Sequence, residues 1–122
     1  MKNKLTTLEE LLLVSVLRDR VRLAALPRVW TVGQDRHEFA RQATLARDAQ
    51  AGIVPLDWPR WRGVASTASQ RQANSRAVRR LIAAGLLQGC FAAREVNVRF
   101  VALTEAGEQV AKAITSEPEA SA

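Results

Sequence analysis

Between Thr67 and Arg80 the chain carries Thr67, Ser69, Gln70, Gln72, Arg76, Arg79 and Arg80 without one acidic residue in the interval. These are hydrogen-bonding groups of two kinds. Glutamine pairs in bidentate fashion with the edge of adenine, and arginine with the edge of guanine. Short hydroxyl side chains at a helix start sit beside backbone N–H groups that already favour anions, so Thr67 and Ser69 suit a phosphate. Gln70, Gln72 and Arg76 are the candidates for base edges, and Arg79 and Arg80, about a turn later, for flanking phosphates.

One element must carry all seven. The spacing predicts a helix over residues 67–84, capped by Ser66, Thr67 or Ser69, whose oxygens can accept an unpaired N–H of the first turn. Gly85 stops it, because a left-handed backbone costs glycine nothing. Val78, Leu81 and Ile82 recur on one face at helical period, with Arg71 and Asn74 at its upper margin. Ser69, Gln72, Ala73, Arg76, Arg79, Arg80 and Ala83 point the other way. That outer face has three arginines, no acid and small residues at its centre. A helix needing only solubility mixes its signs and adds i,i+4 pairs.

After Gly85 the sequence changes period. Gln88-Gly-Cys-Phe91, a charged tip at Ala93-Arg-Glu95, and Val96 to Leu103 read as a hairpin, with Val96, Val98, Phe100 and Ala102 on one strand face. Arg94 at the tip would follow a nucleic-acid backbone or enter a narrow minor groove. Asn97 and Arg99 alternate onto a common strand face and would support it. Thr104 then opens a further helix over 104–115, with Val110 and Ile114 facing inward.

Arg76-Ala-Val-Arg-Arg-Leu81, Gly85-Leu-Leu, the hairpin and Leu103-Thr-x-x-Gly107, in this order, resemble the second half of winged helix-turn-helix DNA-binding proteins, in the general manner of MarR-like regulators. The resemblance covers residues 57–115. It implies an α+β, mainly helical fold: a helix-turn-helix at about 57–84, a two-stranded wing at 86–103, and duplex DNA as partner. The first half of the chain carries no such resemblance.

Charge distribution agrees. Residues 60–99 hold eight arginines and one acid, Glu95, for a net charge of +7; the rest of the chain nets −1. All the excess positive charge therefore lies in the candidate helix-turn-helix and wing, where it suits a polyanion. A membrane surface would also want a bulky apolar edge beside the arginines, which the 67–84 helix lacks. Nucleic acid is the better partner.

At 122 residues the chain is one domain, residues 1–115, followed by a polar tail, 116–122, expected to be disordered. Thr6-x-x-Glu9 and Thr7-x-x-Glu10 both offer capping boxes for a first helix over 7–26, ended before Pro27. From Leu11 to Leu17 that helix is apolar almost all round, so it must be covered on every side. A second copy of the chain is the expected cover, giving a homodimer through the N-terminal helix. Asp35 caps a second helix over 36–51, ended at Gly52. Ile53-Val-Pro55 is a linker or edge segment. Asp57-Trp-Pro-Arg-Trp61 opens a short helix over 57–64, from which Arg60 and Arg62 would reach the DNA backbone.

Trp30, Trp58 and Trp61 are expected as core or interface anchors, and His37 as a surface residue. One cysteine, Cys90, excludes an internal disulfide, and one Cys with one His excludes a zinc set. No catalytic motif, cofactor signature or signal peptide is present, and Leu11 to Leu17 is far too short to span a bilayer. The chain thus reads as a cytoplasmic, non-enzymatic, sequence-specific duplex-DNA-binding protein, most simply a transcriptional regulator. Competing readings are a replication, partition or recombination accessory of a mobile element, and a winged-helix module that binds protein or RNA.

Overall fold

The first two helices begin where short-range rules put them. In the computed structural model, which describes residues 5–26, 33, 35–63, 67–91 and 98–116, Thr6 closes a capping box with Glu9. Thr6 Oγ1 accepts from Glu9 N at 3.1 Å and Glu9 Oε1 from Thr6 N at 2.9 Å. The first of the two possible boxes is therefore the one used, and it opens α1 (Thr7–Ala24). Asp35 caps α2 (Arg36–Gln50) by accepting from His37 N at 2.8 Å.

Ile53–Pro55 forms β1, an edge strand rather than a linker. Next come α3 (Trp58–Arg62), with Pro59 in its first turn, and α4 (Ala68–Ala83). Strands β2 (Leu87–Cys90) and β3 (Phe100–Leu103) precede α5 (Glu105–Ser116). Ser116, expected in the tail, thus belongs to the last helix. The tail beyond it and the wing tip, including Arg94 and Asn97, lie outside the described residues, as does Trp30.

The fold is α+β and mainly helical, with one antiparallel sheet in the order β1-β3-β2. Leu87 faces Leu103 and Cys90 faces Phe100 across one ladder, and Val54 faces Val101 across the other. Sequence alternation singled out Phe100 and Ala102, yet the fully buried residue of β3 is Val101, on the opposite face. Val101 joins the core cluster with Leu12, Leu13 and Val16 of α1, so the face that packs on the helices is the one opposite Phe100 and Ala102.

α1 is the axis of the core. It packs against α2, α3, α4, α5, β1 and β3. Leu12, Leu13 and Val16 are wholly inaccessible, and Val14 and Ser15 are nearly so. Between the partly buried Leu11 and Leu17, the run read as needing a partner subunit is covered by the chain's own elements. The argument for dimerisation through this helix therefore loses its premise. No helix among the described residues is long and apolar enough to cross a membrane.

Polar contacts pin the elements around α1. Arg20 on α1 reaches Glu108 on α5 at 2.8 Å, and Lys112 meets the same carboxylate at 2.8 Å. Those two cations, Arg20 first, hold the Glu108 carboxyl at about 2, below its ordinary 4.5. A depressed folded-state value contributes stability that is present above 4.5 and lost as pH falls towards 2. The urea midpoint of the protein should accordingly drop more steeply across that interval than that of a Glu108→Gln variant. Parallel declines would show that the pairs contribute nothing.

Candidate nucleic-acid interface

Thr67 positions the helix that carries the candidate residues. Its Oγ1 accepts from Gln70 N at 3.1 Å, while Gln70 Oε1 accepts from Thr67 N at 2.9 Å. This capping box is the first correction to the sequence reading. Gln70, expected to read a base, is half-buried and holds the helix start instead. Thr67 keeps an O–H that can still be donated to a phosphate. At the other end, Gly85 takes φ 77° and the chain turns with Leu86 N bonding Leu81 O and Gly85 N bonding Ile82 O. That is the paired 6→1 and 5→2 bonding of a helix ended by a left-handed glycine.

Asn74, Ala77, Val78 and Leu81 form the buried face of α4. Ser69, Gln72, Arg76 and Arg79 are exposed on the other side, as their spacing predicts. A shallow groove of about 500 Å³ runs along this side, lined by Ala68, Arg71, Gln72, Ser75, Arg76 and Arg79. A second cleft, of about 740 Å³, lies between α4, the start of α3 and the entry to β3. Arg71, Asn74 and Ser75 form one wall, Arg99 and Phe100 another, and Trp58 and Pro59 a third. Arg71 and Ser75 belong to both, so the outer face of α4 continues without a break to Arg99. Among the described residues, no acidic one lines either concavity.

Arg71 and Ser75 were missed as site residues. They stand four apart, one turn of helix, on the shoulder between the buried Asn74 and Val78 and the outer Gln72 and Arg79. An arginine at such a margin carries its guanidinium outward on a long stem. That reach was the available signal.

Three of the predicted phosphate ligands are engaged within the protein. Arg80 Nε donates to Glu9 Oε2 at 2.6 Å, tying the C-terminal half of α4 to the first turn of α1. Burial opposes ionisation of Glu9, but bonds from Thr6 and Arg80, together with the charge of Arg80, outweigh it and lower its pKa. Arg60 bonds Asp57 Oδ2 through Nε at 2.9 Å and Asp19 through Nη2. Burial would lower the pKa of Arg60, yet these two carboxylates raise it. Asp19 itself is buried on α1 and also accepts from Trp61 Nε1 at 2.9 Å. Arg62 Nη1 donates to Asn74 Oδ1 at 2.7 Å, bridging α3 to the buried side of α4. Each of these three arginines bridges two elements, so its guanidinium is already engaged within the chain, while the Arg60 and Arg80 side chains stay 44% and 56% exposed. A buried carboxylate is a stronger claim on a guanidinium than water is, because leaving it unpaired is costly.

Trp58 and Trp61 meet edge to face, with centroids 5.5 Å apart, and pack on the core. They are anchors, as expected. Cys90 is half-buried, and burial pushes its thiol above its ordinary pKa. His37 is exposed.

One residue has a backbone that its side chain disfavours. Phe91, immediately after β2, takes φ 61°. For an L-residue this left-handed region costs about 1–2 kcal/mol relative to the right-handed one. Its ring is nevertheless 70% exposed, resting only edge to face on Phe100 with centroids 5.4 Å apart.

The arrangement offers a groove-sized rod with arginine and glutamine side chains outward, joined to Arg99 across a surface lined by no acid among the described residues. Such a surface is chemically suited to a regular array of anions and has donors and acceptors to spare for what lies between them. No protein-family model, curated protein or solved structure matches this chain.

Proposed function

We propose that the chain is a winged helix-turn-helix protein that binds duplex DNA sequence-specifically and regulates transcription. In this reading α3 and α4 are the helix-turn-helix, α4 lies in the major groove, and β2 and β3 are the base of the wing. The observation that carries it is the surface running from Gln72, Arg76 and Arg79 through Arg71 to Arg99, lined by no acid among the described residues. Gln72 and Arg76 read base edges. Arg79, Arg71 and Arg99 neutralise phosphates, with Ser69 and Thr67 at the helix start. One helix spans too few base pairs to specify a site, so two copies act together on successive major grooves. Their mutual contact lies away from Leu11 to Leu17, which each chain covers for itself.

Duplexes selected from a random pool, with the mass of the bound complex measured, test this reading. Two copies neutralising about six phosphates give a log–log slope of affinity against salt of about −5. A slope near zero, or equal retention of competitor RNA, overturns the reading. Arg76→Ala should cost about 1–3 kcal/mol per copy and relax the preference at one base pair of each half-site, whereas Arg79→Ala should weaken all sequences alike and, with one phosphate lost in each of the two copies, reduce the slope by about 2. Arg80→Ala should leave the slope unchanged, because that guanidinium is held by Glu9. If Arg76 and Arg79 variants lose affinity uniformly, Arg76 does not read a base.

A further inference from the structure

We propose that Phe91 is an apolar contact to the duplex, its ring packed against deoxyribose and base edges at the flank of the surface that α4 presents; the inference rests on the DNA reading above.

Exposure alone would carry nothing, since single apolar residues are common on protein surfaces. What distinguishes Phe91 is that exposure and backbone strain coincide. Among the described residues it is the one non-glycine with positive φ. Glycine would adopt that conformation without cost, and asparagine is enriched there. A phenylalanine in this conformation is normally compensated by burying its ring, and here the ring is 70% exposed. Neither the backbone nor the core of this protein calls for the side chain it has.

Its surroundings indicate the occupant. The ring rests on Phe100. Phe100 lines the cleft shared with Arg71, Ser75 and Arg99, and also a concavity where Arg22, Arg41 and Arg60 stand with Asp19 and Asp57. Through Phe100 the exposed ring is one aromatic contact away from the cleft that carries Arg71 and Arg99, where a polyanion whose sugars and bases present apolar area would approach. Deoxyribose and base faces supply that area between the phosphates, and apolar side chains press against or between base steps in proteins that use both.

The contact is testable because it differs in kind from the arginines. Phe91→Gly relieves the strain, so its melting temperature should rise, while its affinity for the selected duplex should fall about tenfold, as for loss of one stacked aromatic. The loss should be the same at every salt concentration, leaving the log–log slope unaltered, because no charge is removed. Phe91→Asn, which keeps the left-handed backbone without the ring, should lose affinity likewise, and Phe91→Trp should retain it. Wild-type affinity in Gly and Asn variants of a protein that does bind the duplex overturns this inference alone. Failure of the wild-type protein to bind any selected duplex overturns the DNA reading, and this inference with it. A change in salt slope in the Phe91 variants also overturns it, since the ring would then act through the placement of charges.

Discussion

Gly107→Ala should unfold the protein at markedly lower temperature, with a loss of about 3 kcal/mol or more, at the upper end of what overpacking costs. The sign is the informative part. In an open helix, alanine in place of glycine stabilises by about 1 kcal/mol. Gly107 lies in the first turns of α5, so propensity alone favours the substitution. A β-carbon there would stand 1.9 Å from the carbonyl oxygen of Leu86 and 2.8 Å from its carbon. Neither side can yield easily. Leu86 N is held by Leu81 O, and Leu86 O accepts from Thr104 N at 3.2 Å. Thr104 adds a bond from its hydroxyl to Gly85 O at 2.6 Å and accepts from Gly107 N at 3.0 Å. The end of α4 and the start of α5 are thus laced together, and the glycine is what lets them meet. An unchanged or raised melting temperature would mean that α5 does not sit on that carbonyl.

Leu81→Ala is expected to lose about 2–5 kcal/mol, as for a leucine removed from a close-packed core. Leu81 is 1% exposed and lies in the same cluster as Leu12, Leu13 and Val16 of α1. It also sits one position from Arg80, whose side chain bonds Glu9 on the same helix α1. The apolar side chain and the ion pair therefore dock α4 on α1 together. At about 4 °C per kcal/mol for a domain of this size, a fall in melting temperature of roughly 10 °C or more is the measurable result. A variant that melts with the wild type would place the buried face of α4 elsewhere. Duplex affinity of the still-folded variant should change little, since Leu81 points away from the groove lined by Gln72, Arg76 and Arg79.

Gly107 also shows why the Leu103-Thr-x-x-Gly107 pattern was readable without coordinates. Threonine caps α5, and glycine clears space for the turn after α4. The cap acts over three residues and leaves a sequence mark, whereas the glycine answers to Leu86, 21 residues earlier, and was legible only through the winged-helix resemblance. For Ile53–Pro55 the sequence left linker and edge segment both open, because a three-residue strand ending in proline does not show its partner β3.

The ends of α1, α2 and α4, the left-handed turns at Gly52 and Gly85, and the split of α4 into an apolar and a cationic face were determined by the sequence itself. Caps, φ restrictions and the 3.6-residue period act within a few residues, so they are written in adjacent letters. Which arginines face outward was decided only by the tertiary structure. Arg80 finds its carboxylate 71 residues away on α1, and Arg60 finds one 41 residues away. The same applies to α1, whose all-round apolar surface specified that it be covered but not by what. Folding chooses partners by desolvation and reach in three dimensions, and neither quantity is encoded at the position where its effect is felt.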